Sequence, residues 1–395
     1  MRIAADWLTA AATRAVMAAL GHDGATALFV GGCVRNTILG EAAGDIDIAT
    51  DLLPEEVMAR AGAAGLRAVP TGIAHGTVTV VAKGRGFEVT TFRRDVETDG
   101  RRARVAFTSS LREDAERRDF TMNALYAGPD GTLVDPVGGL ADLLARRVRF
   151  VGDPDARIRE DYLRILRFFR FHAWHGDPAE GIDPDGLAAC AANLDGLARL
   201  SRERIGHETR KLLAAPDPAP AVAAMRACGV LAAVLPGAED GLLASLVHIE
   251  AAEGIAPNWL RRLRLLTAED QRDALRLSNA EAAAFAAIGR ALAAPEPPAI
   301  RAHRHGEEAA RDAILIEAAG GAPLPPGWQA ELARGGAARF PLSAGDLMPP
   351  LAPGPEIGAA LAGLREDWIA SGFTLDRAAL LARLEDRGPE AQGSG

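Results

Sequence analysis

Asp45 and Asp47 stand two residues apart in the run Asp45-Ile46-Asp47-Ile48-Ala49-Thr50. On a β-strand, side chains two apart share a face. The spacing therefore turns both carboxylates one way and sends Ile46 and Ile48 to the core. Two neighbouring carboxylates repel, and a divalent cation or a pair of Mg²⁺ ions relieves that repulsion. Upstream, the apolar run Leu28-Phe29-Val30 meets Gly31-Gly32, and a stretch of helical character follows from Cys33 to Leu39, closed by Gly40. Glycines at the start of a helix offer backbone N–H groups to phosphate. Metal-binding carboxylates beside a glycine-lined phosphate cradle point to nucleotidyl transfer. Taken singly, an Asp-x-Asp pair is more often a solvated strand edge, and a Gly-Gly pair an ordinary turn.

The elements that must position these groups read as a mixture of helices and largely antiparallel strands, an α+β head. Residues 1–24 form a helix bracing the first strand, and Pro54 to Gly65 form a helix with an N1 proline and early acids. Val69 to Gly72 is a turn, Thr77 to Val81 alternates as a strand, Gly84-Arg85-Gly86 turns, and Phe87 to Phe92 returns. Glu88 on the returning strand becomes a third acidic group if the hairpin packs beside Asp45 and Asp47; otherwise it faces solvent. Residues 93–104, RRDVETDGRRAR, are polar and dense in both charges, as a mobile loop is. Asp135 to Gly139 is a turn before a helix and a short strand over 148–151, and the head ends near residue 150.

Between these lies Arg118-Asp119-Phe120-Thr121-Met122-Asn123-Ala124-Leu125. Phe120, Ala124 and Leu125 supply a buried side, and the polar residues exceed what packing needs. Arg118 can hold a triphosphate bidentately, and Asp119 or Asn123 can bond ribose hydroxyls; a salt-bridged helix is the plainer alternative. Residues 156–175 read as one amphipathic helix. At about 100° per residue, Tyr162, Ile165, Leu166 and Phe169 share one side, opposite Glu160, Arg164 and Arg167. Surface Glu160–Arg164 pairing would explain that face. Base recognition also would: Arg164 offers paired donors to cytosine's pairing edge, and Asp161 accepts from the exocyclic amine that cytosine and adenine share.

At 395 residues the chain holds two to four compact units. The formal net charge is −9, which argues against an RNA partner in bulk. Eight arginines between Leu144 and Arg170 reverse that balance locally. Cys33, Cys190 and Cys228 are scattered without metal-ligand spacing, as in a reducing compartment. No apolar run approaches the ~20 residues of a membrane span, so the expectation is a cytoplasmic protein with no membrane partner. From about 180 onward the chain is Ala- and Leu-rich and helical with proline-marked breaks, and the end from about Arg387 is expected to be disordered.

The segments GGCVRN…DIDIAT, EVTT, RRDFTMNAL and EDYLR resemble the signatures of the class II tRNA nucleotidyltransferase and bacterial poly(A) polymerase family. The resemblance is dense over residues 25–175, with Asn36 where the family usually has Asp. It implies a nucleotidyltransferase-fold head (1–150), then a helical neck recognising the base (151–215), a helical body (216–290) and a helical tail (291–395) binding tRNA. It implies CCA addition to tRNA from CTP and ATP, with Asp45 and Asp47 as Mg²⁺ ligands and Glu88 beside them. Gly31, Gly32, Arg35, Arg118, Asp119 and Asn123 would bind the nucleotide, Asp161 and Arg164 would template the base, and Arg167 and Arg170 would hold phosphates. Nearby alternatives are a poly(A) polymerase or an enzyme adding only CC or only A. More distant ones are a non-catalytic RNA-binding protein and a small-molecule nucleotidyltransferase, the latter leaving the long helical extension unexplained.

Overall fold

The computed structural model describes residues 1–98, 103–349, 351 and 354–386. Residues 99–102 of the expected loop and the C-terminal end from Arg387 lie outside them. The chain divides into two compact units, Met1–Ala238 and Glu239–Gly395. The first takes in the expected head and neck and the start of the expected body.

The described residues form nine strands, β1 (Ala27–Val30), β2 (Asp47–Thr50), β3 (Arg67–Gly72), β4 (Thr77–Ala82), β5 (Arg85–Thr91), β6 (Arg93–Thr98), β7 (Ala103–Phe107), β8 (Tyr126–Ala127) and β9 (Leu133–Val134). Seven form one sheet in the order β3-β4-β5-β2-β1-β8-β9, and β6 and β7 form a separate ribbon. Within the large sheet β2 and β5 run parallel, and the other pairs are antiparallel. Period-two alternation builds the core side: Val78, Val80 and Ala82 of β4 and Phe87, Val89 and Thr91 of β5 are buried. Trp7 of the N-terminal helices meets Phe29 of β1 edge-on, with ring centroids 4.8 Å apart, so that segment does brace the first strand.

Several local expectations change. The second acidic strand begins at Asp47, leaving Asp45 in the bend before it. Val69 to Gly72 is no turn: it belongs to β3, where Pro70, which has no N–H to give, is accommodated in an edge strand. Arg93–Thr98 and Ala103–Phe107 pair as antiparallel strands, because backbone hydrogen bonding across the ribbon overrides polar composition. The expected strand over 148–151 reduces to one bridge, Phe120 to Phe150.

The expected continuous helix over 156–175 is two, Pro154–Glu160 and Leu163–His175, broken where Asp161 is extended (φ −152°). Phe168 and Phe171 of the second helix pack against Phe120 and Phe150 of the head, with centroids 4.9–6.3 Å apart. Aromatic burial of this kind fixes the helix on the head. The Thr121–Asn123 turn beneath it is held from the other side: Thr121 donates to Asp142 at 2.7 Å, and Gly139 sits so close that a Cβ there would lie 2.0 Å from the Thr121 carbonyl oxygen.

The second unit is helical throughout its described residues. Leu246, Ile314, Leu315, Trp328 and Leu332 make one core cluster, and Leu364 and Trp368 anchor another, so both tryptophans are core residues as their apolar surroundings require. Its deepest charges are matched: Arg261 bonds Glu250 and Asp312, and Arg262 bonds Glu250, all at 2.6–3.0 Å.

Gly139→Ala should destabilise the protein by roughly 1–3 kcal/mol, because the Thr121 backbone cannot retreat without moving the turn. A lowered urea midpoint with an unchanged m-value is the expected outcome.

Candidate active site

The register of the central strands brings the acids together. In the parallel β2–β5 pair Asp47 lies directly opposite Glu88. Ile46 and Ile48 are only 1% and 0% exposed, so Asp47 between them points away from the core and the half-buried carboxylate stays accessible. Asp45 and Glu88 are exposed. Burial, then Glu88 and Asp45, push Asp47 up to about 6, against the opposing pull of Arg118. Among the described residues no three His, Cys, Asp or Glu side chains converge as a ready-made metal cage. The donor set is all oxygen and short of ligands. That suits a hard cation which takes one or two carboxylates and completes its shell with water and substrate phosphate.

Beside these acids the chain turns from β1 into the helix Gly32–Ile38 through Gly31, whose φ of +73° is a conformation that favours glycine. Gly31 donates its N–H to the Leu125 carbonyl at 3.2 Å. A Cβ on Gly31 would stand 3.8 Å from Arg118 Nη1, so the arginine tip and the glycine turn border the same space.

A second, cationic group is organised around Asp119 and the ring of Phe171. Asp119 accepts from Phe120 N and Asn123 Nδ2 on one oxygen, both at 2.9 Å, and on the other from Arg167, through Nε at 2.8 Å and through Nη2. Burial opposes its charge, but Arg167 and the Asn123 hydrogen bond outweigh that and hold the carboxyl far below the usual range. Asn123 in turn accepts from Arg35 Nη1 at 2.6 Å. Asp119 and Asn123, expected at the ribose, are thus engaged in holding arginines. Arg170 bonds Glu208 at 2.5 Å. The guanidiniums of Arg35, Arg167 and Arg170 lie 5.3, 5.3 and 4.4 Å from the Phe171 centroid. Around that ring the three cations face the two carboxylates of Asp119 and Glu208, and the side-chain bonds of Arg35 go to the amide oxygens of Asn36 and Asn123. Burial depresses Arg35 to about 10, which leaves it charged at neutral pH.

Asn36 has a use for its amide. Its oxygen accepts from Arg35 Nε and Nη2 at 3.0 and 2.9 Å, while its Nδ2 donates to the Ala42 carbonyl at 2.9 Å. A carboxylate could do the first and not the second.

Asp161 and Arg164 flank the helix break. Asp161 accepts from Leu163 N at 3.1 Å and from Arg204 Nη2 at 2.6 Å. Arg164 donates to Glu160 at 2.5 Å and to the carbonyls of Arg157 and Arg117 at 2.8 and 3.1 Å. The Glu160–Arg164 face is therefore packed against the head rather than turned to solvent. Sequence reasoning missed Arg204, Glu208 and Phe171. The first two sit in the polar helix Arg202–Leu213, which has a clear Ser201 cap, and nothing local in that pattern says which carboxylates or arginines it meets.

A seven-stranded mixed sheet carrying crowded acids beside a glycine turn, followed by helices that supply arginines, defines a nucleotidyltransferase-type head with a helical extension. A model described as the poly A polymerase head domain matches residues 27–149, and one described as a probable RNA and SrmB-binding site of polymerase A matches residues 181–242. The mitochondrial CCA tRNA nucleotidyltransferase 1 of Mus musculus is 33% identical over 374 residues, covering 90% of this chain and 85% of the relative. That of Danio rerio is 47% identical over 184 residues, a match spanning 43% of its length. A crystal structure of the Bacillus stearothermophilus CCA-adding enzyme in complex with CTP superposes with a TM-score of 0.73 at 34% identity, covering 94% of this chain and 96% of that one. The chain belongs to the family of CCA-adding tRNA nucleotidyltransferases.

The crowded Asp47 makes a stability prediction. Its folded-state pKa lies above the usual 3.8, so the native state holds an extra proton between about pH 4 and 6, and the contribution of this group to stability falls as pH rises through that window. With a chelator present, Asp47→Asn should be more stable than the parent by about 1–3 kcal/mol at pH 8. The difference should close as pH is lowered to 4, as followed by thermal melts.

Proposed function

We propose that this protein adds the CCA end to tRNA, taking CTP and ATP without a nucleic-acid template and releasing pyrophosphate. The observation that carries the proposal is the Asp47–Glu88 register, which sets acids side by side on the central strands β2 and β5, within the electrostatic reach of Arg118 and beside the Gly31 turn. Asp45 and Asp47 would hold Mg²⁺, which supplies charge neutralisation for a phosphoryl oxygen and acidifies an RNA 3′-hydroxyl. The exposed Glu88 adds negative charge beside them and raises their demand for a cation.

The protein's own groups do the rest by position and charge. With the Gly31 N–H taken by Leu125, the N–H groups of the first helical turn from Gly32 are the ones offered to the triphosphate, and the Nη1 edge of Arg118 faces the same glycine turn. Arg35, Arg167 and Arg170 add a field for phosphates, with Asp119 and Asn123 fixing Arg35 and Arg167. Asp161 and Arg164 are the pair for the base edge: one acceptor and paired donors suit both cytosine and adenine, whereas uracil and guanine carry a carbonyl oxygen at the position of the amine that Asp161 takes. To read a base, each must exchange a protein partner, Arg204 and Glu160 respectively, for the base.

We assign residues 1–150 to catalysis, 151–215 to base recognition, and 216–290 and 291–395 to a helical body and tail that bind tRNA through its shape and phosphates. No helix of the described residues is long and apolar enough to cross a membrane. Free Cys33, Cys190 and Cys228 support a reducing, cytoplasmic setting.

A tRNA lacking its last three nucleotides should gain CC with CTP alone and CCA with both nucleotides, then stop, as resolved on a sequencing gel. Asp47→Ala should lower incorporation by more than about 10³-fold with the fold retained by circular dichroism. Arg164→Ala should relax base choice, with UTP incorporation rising relative to CTP. An unbounded tail of A, or incorporation by the Asp47 variant at the parent rate, would defeat this reading.

A further inference from the structure

Arg118 does not reach the glycine turn unaided. Its guanidinium has a side edge, Nε and Nη2, and an end edge that includes Nη1. Nε donates to the Tyr126 hydroxyl oxygen at 3.0 Å and Nη2 to Asp114 Oδ2 at 3.1 Å. The Tyr126 hydroxyl closes the triangle by donating to the same Asp114 oxygen at 2.7 Å. With the side edge consumed, Nη1 is the end turned toward Gly31.

The two partners are themselves immobile. Asp114 is 1% exposed and Tyr126 0%. Asp114 lies on the helix Leu111–Glu116 and takes a further bond from Arg117 Nε at 2.8 Å, whereas Tyr126 begins β8, paired to β1 through Val30 at the mouth of the glycine turn. The triangle therefore references Arg118 to both the helix and the strand that ends at the phosphate cradle. Burial pushes the Asp114 carboxyl up, but Arg118 and Arg117 outweigh it and keep it below the usual range, so it is an anion that orders the arginine at working pH.

We propose that Asp114 and Tyr126 are positioning residues which lock the side edge of Arg118 so that its end edge meets the triphosphate common to CTP and ATP. The proposal rests on the reading of Arg118 as a triphosphate ligand. A side edge locked in place spares the arginine the loss of rotamer freedom when nucleotide arrives. The effect belongs to phosphate binding and is indifferent to the base.

Tyr126→Phe keeps the ring and removes the hydroxyl that ties Nε to Asp114. It should raise KM for CTP and for ATP by the same roughly three- to tenfold factor, with kcat within about twofold and the preference between the bases unchanged. Inhibition by inorganic tripolyphosphate should weaken by that same factor. Asp114→Asn should act in the same direction and more strongly; if it does not fold, Tyr126→Phe carries the test alone. In an Arg118→Ala background, Tyr126→Phe should add less than about twofold, since its effect runs through the arginine. Multiplicative effects of Tyr126→Phe and Arg118→Ala would overturn the proposal and assign the triangle to general stability. An unchanged KM in Tyr126→Phe alongside a raised KM in Arg118→Ala would overturn it while leaving the triphosphate reading intact. An unchanged KM and tripolyphosphate inhibition in Arg118→Ala would sink the triphosphate reading itself.

Discussion

A carboxylate inside a protein survives as an anion only where its charge is matched and its lone pairs are taken. Asp119 meets both conditions through Arg167, Asn123 and the Phe120 N–H, and the arrangement of the cationic side of the site follows from that. Arg167 comes from the helix Leu163–His175 and Asn123 from the turn of the head, so a single charge joins the two. Asn123 then passes the constraint to Arg35. Aromatic packing of Phe168 and Phe171 on Phe120 and Phe150 excludes water from the same contact, which strengthens the ion pair at its centre.

The site carries two opposed imbalances. On the central strands, burial and the neighbouring Glu88 and Asp45 carboxyls make Asp47 hold its proton into mildly acidic pH. Around Phe171, guanidiniums outnumber carboxylates. Each imbalance costs stability, and each is relieved by one part of the same reactant, a cation for the acids and a polyphosphate for the arginines. A net charge of −9 conceals this, because it averages over a chain whose charges are segregated. The second unit follows the opposite policy: Arg261, Arg262, Glu250 and Asp312 neutralise one another within the core, as charges without a ligand to await must do.

Asn36 shows how a change of one atom can be absorbed. The acceptor that orders Arg35 is retained, and the gained N–H fastens Ala42, three residues before Asp45. The loss of charge next to Arg35 leaves that arginine with amide partners, hence with more of its field available to phosphate.

The sequence by itself determined the acid spacing, the glycine turn, the alternation that buries one face of β4 and β5, the helical second half and the chemical classes of the site residues. Those are local properties, written in periods of two and 3.6 residues and in the conformational freedom of glycine. The tertiary structure decided what meets what. The parallel pairing of β2 with β5 set the exposed Glu88 against Asp47, a neighbour that the sequence alone left open. The break at Asp161 divided a helix whose apolar stripe read as continuous, because Arg204 and the Leu163 N–H reward an extended backbone there. Hydrogen bonding across β6 and β7 made strands of a polar segment. The partners Tyr126 for Arg118, Glu160 and the Arg117 carbonyl for Arg164, and Glu208 for Arg170 all lie in other elements of the fold. An arginine's donors are satisfied by any carboxylate or carbonyl within reach, so its type fixes the chemistry, and only the packed chain fixes the partner.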